Sequence, residues 1–141
     1  MTDELTQQPP TQVRFLASQL GLGAAAFGVL PLIAPRTFAR LFGIETASHS
    51  TADAAIRSVA VRDLLLGMGL WSAATHGGNY VPWLMARALA DGGDAAATLL
   101  AIAQGGTNAR FKMLFALASG ATATGAVLWA AARRNESAPG S

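Results

Sequence analysis

The chain alternates long apolar stretches with short polar breaks. Four stretches stand out: Val13–Ile33, Ala55–His76, Tyr80–Gln104 and Phe111–Ala132. Each is at least about 20 residues long, and about 20 helical residues at about 1.5 Å per residue cross a hydrocarbon core of about 30 Å. The first and fourth lack the polar stripe that a surface helix of a soluble bundle needs. No strand-like alternation competes with the helical reading. The pattern predicts an all-α protein, a four-transmembrane-helix bundle over residues 13–134, between polar, disordered tails at 1–12 and 135–141. Asp3 and Glu4 stand where a secretory signal would carry positive charge, so the first tail does not read as one.

The breaks carry information of their own. In Ala34–Ile44, Pro35 suits a helix start and Gly43 a helix end. Phe38, Leu41 and Phe42 share one face and Arg36 and Arg40 another. This predicts a short amphipathic helix after the first span, lying in the headgroup region with its phenylalanines as anchors. The alternative is an ordinary linking helix with the same pattern. Glu45–Asp53 reads as a polar loop, with Ser50 or Thr51 as N-cap of the second span. If the spans alternate in direction, Trp71, Tyr80, Trp83 and Trp129 all lie toward one membrane face, as an interfacial belt would. Arg14, Arg133 and Arg134 on one side stand against Arg36, Arg40, Arg110 and Lys112 on the other, with Arg57 close behind them, so charge favours outside termini only slightly.

Composition agrees with a chain built for lipid. Of 141 residues, 52% are apolar and 13% charged, and 31 are alanine and 15 glycine. An ordinary soluble domain carries about 25% charge. The mean hydropathy of +0.36 is modest, and a buried Ala-rich soluble bundle would score similarly; span length and the aromatic placement decide for the membrane. The net charge of +2 excludes a basic nucleic-acid module, so the expected partners are membrane lipids. The absence of cysteine excludes disulfides, thiolate catalysis and cysteine-ligated metal centres.

Against this background six charges are out of place. Arg57, Arg62 and Asp63 fall in the second span, and Arg87, Asp91 and Asp94 in the third. A charge at mid-membrane costs about 2.5–3.5 kcal/mol on insertion scales, so pairing is required. Arg87 and Asp91 are i and i+4, and Asp91 and Asp94 are i and i+3, which puts all three on one helical face. The second and third spans are therefore expected to pack together, setting Arg62 and Asp63 against Arg87, Asp91 and Asp94. Arg57, near its span end, is expected to snorkel outward. Such pairs can serve purely as interhelical glue. Two features point beyond that: a third acid, and the Gly92-Gly93 pair between Asp91 and Asp94, which suits close approach of a ligand or backbone. Neighbouring carboxylates resist joint ionisation, a property suited to proton transfer.

Other signals are weaker. The Asp-Gly-Gly-Asp run is reminiscent of aspartate-rich metal motifs of membrane transferases but lacks their further aspartates, so no metal or cofactor is expected. His49 and His76 fall in predicted loops. Asn135-Glu136-Ser137 fits a glycosylation sequon inside a tail. The small-residue pairs Ala24/Gly28 and Ala121/Gly125 suit internal packing of the first and fourth spans, or a homo-oligomer seam.

The stretch Ala34–Ile44 followed by Arg57–Trp71, with its Arg62-Asp63-Leu64-x-x-Gly67 run, resembles a group of small bacterial four-helix integral membrane proteins of unassigned activity. It resembles the DoxX-like four-helix proteins more loosely. The resemblance covers about residues 13 to 132 and implies a multi-pass protein of the bacterial inner membrane; it carries no activity that transfers residue by residue. The residues themselves lead to an acid/base enzyme on a lipophilic substrate, of isomerase, cyclase or epoxide-opening type. Asp91 or Asp94 would be its proton donor or acceptor, Asp63 the partner, and Arg62 or Arg87 the stabiliser of negative charge. The alternatives are a non-catalytic subunit or assembly factor of a membrane complex, and a small proton-coupled carrier.

Overall fold

A computed structural model describes residues 10–44, 50–105 and 109–137. Among them the chain is all-helical, with α1 (Pro10–Ile33), α2 (Pro35–Phe42), α3 (Ser50–Thr75), α4 (Val81–Ala103) and α5 (Ala109–Ser137). Helix extends three residues into each predicted tail; positions 1–9 and 138–141 lie outside the described residues. So does the 45–49 part of the predicted polar loop, including His49. Its remainder is helical: α3 starts at Ser50, with Asp53 in the first turn, where a negative charge complements the helix dipole. Asp53 also accepts from Arg36 Nε at 3.1 Å.

The expected punctuation between α1 and α2 is present. Pro35 opens α2, and Gly43 closes it in the left-handed conformation at φ 64°. The Gly43 N–H donates to Arg40 O at 3.3 Å and the Ile44 N–H to Ala39 O at 2.8 Å, the paired bonds of a Schellman end. The phenylalanines of α2 turn inward rather than outward. Phe38 and Phe42 are buried, and Phe27 of α1 sits edge-on to both, with ring centroids 5.6 and 6.1 Å away. They anchor α2 to the bundle, while Arg36 and Arg40 stay exposed.

The four long helices run up and down in chain order. One end gathers Val13 and Ala17 from the start of α1, Leu70 and Ala74 from the end of α3, Leu84 from the start of α4, and Leu128 and Ala132 from the end of α5. Tyr80 is buried in this cluster beneath Arg14, whose guanidinium lies 4.7 Å from the ring centroid. Arg14 Nη1 also donates to Ala73 O and Ala74 O at 3.3 and 3.4 Å, placing a cation at the carbonyl end of α3. Trp129 packs against the same cluster under Arg133, 5.3 Å from its ring centroid. Tyr80 and Trp129 thus share one end, as the alternating-span pattern required.

Small residues decide which helices touch. α1 and α3 form one close pair. A Cβ on Gly67 would lie 2.5 Å from Ala25 N and 2.6 Å from Gly21 O, and one on Gly28 would lie 2.8 Å from Ala60 O. No side chain fits between these backbones. α4 and α5 form the second pair, with Gly125 against Ala88. Of the small-residue pairs noted in the sequence, Gly28 and Gly125 thus pack internally, against α3 and α4 respectively, while Ala24 and Ala121 line the cavity. The backbones of α3 and α4 touch sparsely, and the expected meeting of these two spans is made by their charged side chains. A cavity lies between the two pairs, and side chains bridge it.

Candidate functional site

Five charged side chains form one continuous chain across the gap between α3 and α4. The Arg62 guanidinium takes the Asp94 carboxylate in a two-pronged pair, with Nη1 donating to Oδ1 at 3.0 Å and Nη2 to Oδ2. Arg62 Nη2 also donates to Asp63 Oδ1 at 3.0 Å. The same Asp63 oxygen accepts from Arg87 Nη1 at 3.0 Å. Arg87 in turn holds Asp91 by two prongs, Nε to Oδ2 at 2.8 Å and Nη2 to Oδ1. The order is Asp94–Arg62–Asp63–Arg87–Asp91, alternating in sign. Fork-on-fork geometry makes the outer two pairs the strong kind of charge-assisted bond.

Helical spacing builds this arrangement. Arg87 and Asp91 pair within α4 at i and i+4, and Asp94 follows one turn on. On α3 the adjacent Arg62 and Asp63 point about 100° apart. Asp63 faces inward, seated on α1 where Gly28 admits it: a Cβ there would meet the Asp63 Cβ at 3.4 Å. Arg62 reaches around to Asp94. All five candidates, Arg62, Asp63, Arg87, Asp91 and Asp94, are therefore brought together. Arg57 is not; it is exposed and donates from Nε to Leu32 O at 3.3 Å.

Burial separates the members. The side chains of Asp63, Arg87 and Asp91 are 7%, 7% and 4% exposed, whereas those of Arg62 and Asp94 are 34% and 35% exposed. The accessible end of the chain is the Arg62–Asp94 pair. Three carboxylates face two guanidiniums, so the fully ionised centre carries a net charge of −1, and uptake of one proton neutralises it. Among the described residues no three His, Cys, Asp or Glu side chains group so as to hold a metal ion. His76 is exposed and its Nδ1 lies 3.0 Å from Ser72 O.

The chain of charges forms one wall of a cavity of about 580 Å³. Asp63, Arg87, Asp91 and Asp94 line it, and the remaining wall is chiefly apolar: Leu20 and Phe27 of α1, Ile56 and Val59 of α3, Leu114 and Leu117 of α5. Ligand sites commonly have this character, an apolar hollow with a few convergent polar groups. The charged wall was readable from α3 and α4. The contribution of α1 and α5 was not, although Leu114, Leu117 and Ala121 recur at helical spacing. Gln19, a polar residue in the otherwise apolar first run, also faces the cavity. Gly92-Gly93 does not serve close approach: a Cβ on Gly92 would touch Thr122 at an ordinary 3.5 Å, and one on Gly93 would meet nothing.

Two helices carry stretches long and apolar enough to cross a membrane, Thr11–Ile33 and Lys112–Asn135. These lie in α1 and α5, the first and fourth of the long helices. α3 and α4 have 26 and 23 residues but carry the charged chain. Residues 21–135 match the family described as a domain of unknown function (DUF4267), and the protein belongs to that family. Neither the curated proteins nor the solved structures contain a match to the chain.

Proposed function

We propose that the protein is a four-span membrane enzyme that admits a lipophilic molecule to the cavity and moves a proton on it at the Arg62–Asp94 end of the charged chain. The observation that carries this reading is the coincidence of an apolar cavity of about 580 Å³ with a net-acidic Arg/Asp centre in its wall. A centre built only to hold helices together gains nothing from an adjoining hollow, because voids weaken packing.

Membrane placement of all four long helices is supported by what they expose. Phe15 and Leu22 on α1, Leu65 and Met68 on α3, Met85 and Leu89 on α4, and Val127 on α5 all face outward. The apolar stretch of α5 is only 11% buried, unlike the core helix of a soluble protein. Lipid accounts for such a surface and water does not. With the charged chain turned inward, its residues meet the rule that intramembrane charges face a bundle interior and pair there. The resemblance carried by Arg62-Asp63-Leu64-x-x-Gly67 extends the proposal to a multi-pass protein of the bacterial inner membrane.

In this reading Asp94 is the proton donor or acceptor, as the most exposed of the three carboxylates that line the cavity. Arg62 orients it by its two-pronged pair, and Arg87, which lines the cavity, stabilises negative charge that develops on the substrate. Asp63 and Asp91 are positioning residues that hold Arg87, and Asp63 also holds Arg62. Isomerisation and cyclisation need only proton transfer on the substrate; epoxide opening also consumes a water, whose oxygen bonds to carbon as the ring C–O bond breaks and the ring oxygen takes a proton.

The test is conversion of lipophilic material. Membranes containing wild type, Asp94→Asn or Arg62→Gln are incubated with a total lipid extract and profiled by mass spectrometry. Wild type is expected to deplete one species and accumulate an isomer or hydrate of it; both variants are expected to lose that change while retaining helicity and a wild-type elution volume. Identical profiles for wild type and Asp94→Asn, with a lower melting temperature in the variant, would contradict the catalytic reading and leave the charged chain as interhelical glue.

A further inference from the structure

At the α2 end of the bundle the cavity runs toward a second charged feature. On α5, Arg110, Leu114, Leu117 and Ala121 lie at helical spacing on one face, and the last three line the cavity. Arg110 is the next position on that stripe toward the α2 end. Across from it, Phe38 and Ile44 line the cavity, while Thr37, Arg40 and Leu41 of α2 line a separate hollow of about 500 Å³ that they share with Arg110. Arg110 Nη1 donates to Arg40 O at 3.4 Å, which fixes the start of α5 beside α2. Among the described residues Arg36 takes a carboxylate, Asp53, whereas Arg40 and Arg110 donate to backbone carbonyls. Two exposed guanidiniums therefore line a hollow beside the α2 end of the apolar cavity.

We infer that this hollow opens onto the cavity as its mouth and selects the ligand: Arg40 and Arg110 take the anionic headgroup, a phosphate or carboxylate, of a single-chain amphiphile whose tail enters the cavity. Guanidiniums present the fork of donors that matches such oxyanions. An apolar tail suits the wall formed by Phe38, Leu114 and Leu117. The inference rests on the proposed lipophilic ligand and names its class. It also gives a length. Ala88 lies against Gly125 and Gly92 near Thr122, so this antiparallel register sets Asp94 level with about residue 120. Arg110 lies about ten residues away along α5, which is about 15 Å at about 1.5 Å per residue. A ligand held at both places carries its reactive carbon about 15 Å from its headgroup.

The test uses the full chain in a neutral detergent, with binding measured by native mass spectrometry. The probes are dodecyl phosphate, dodecanol and inorganic phosphate. The proteins are wild type, the double variant Arg40→Gln/Arg110→Gln, and Ala97→Phe, which places a ring in the cavity. Wild type is expected to bind dodecyl phosphate at least about tenfold more tightly than dodecanol. The double variant removes that preference and leaves dodecanol binding unchanged, and Ala97→Phe weakens both alkyl probes. Equal binding of dodecyl phosphate and dodecanol, with both weakened by Ala97→Phe, overturns the mouth and leaves the cavity reading standing. Insensitivity of both probes to Ala97→Phe overturns the two together. Inorganic phosphate binding as tightly as dodecyl phosphate overturns the amphiphile in favour of a free anion.

Discussion

Arg87→Met removes the more buried of the two cations of the charged chain while keeping much of its apolar length. Arg87 provides both prongs on Asp91 and one of the three guanidinium bonds on Asp63. Asp63 retains Arg62. Asp91, whose side chain is 4% exposed, has no second cation within reach among the described residues. Breaking a buried pair by removing one partner costs about 3–5 kcal/mol, because the charge left behind is neither solvated nor paired. Insertion scales give about 2.5–3.5 kcal/mol for an aspartate at mid-membrane. Together they place the loss at about 3 kcal/mol.

Removing the orphaned acid as well, in Arg87→Met/Asp91→Leu, is expected to recover about 2 kcal/mol of that loss, since replacing a whole buried pair with apolar groups is often close to neutral. The assay is equilibrium unfolding in mixed micelles by titration with dodecyl sulfate, read by circular dichroism, for the wild type, the two singles and the double. The cycle isolates the coupling between the residues. A coupling energy near zero, or an Arg87→Met protein within about 0.5 kcal/mol of wild type, would refute the ion-pair geometry on which the site rests.

Three further outcomes follow from packing and charge. Gly67→Ala forces a Cβ to within 2.5 Å of the α1 backbone at Ala25 and is expected to cost about 1–3 kcal/mol in the same titration; Gly93→Ala, whose Cβ meets nothing, is expected to gain up to about 1 kcal/mol from helix propensity. Arg14→Gln loses the guanidinium at the end of α3 and its stacking on Tyr80, with an expected loss of about 1 kcal/mol and a change in tyrosine fluorescence. Asp53→Asn breaks the pair with Arg36, whose side chain is 70% exposed; its melting temperature is expected to stay within a degree or two of wild type, since such pairs contribute about 0–1 kcal/mol.

Much of this was legible in one dimension because helices impose local spacing. The four long runs, the Pro35 start and Gly43 stop of α2, and the Arg87–Asp91 pair follow from periods of three to four residues. The link from Arg62 to Asp94 was also foreseeable, since unpaired charges in an apolar stretch must find partners. The pairing of helices was not. Gly21, Gly28 and Gly67 fix α1 on α3, and a glycine's meaning depends on the backbone opposite it, which no local pattern reveals. For the same reason the cavity escaped notice: it arises because the close approaches lie elsewhere. Phe38 and Phe42 show a further limit. An apolar face is the same whether it meets lipid or Phe27, and only the return of α2 onto α1 chooses between them.

The most direct test of the account is an experimental density map of the protein purified with native lipid. The expected result is a hollow between the α1–α3 and α4–α5 pairs, filled by elongated density that ends within hydrogen-bond distance of Asp94. A map in which the two pairs close on each other, with Asp94 sealed against Arg62 and no density between the helices, would contradict it.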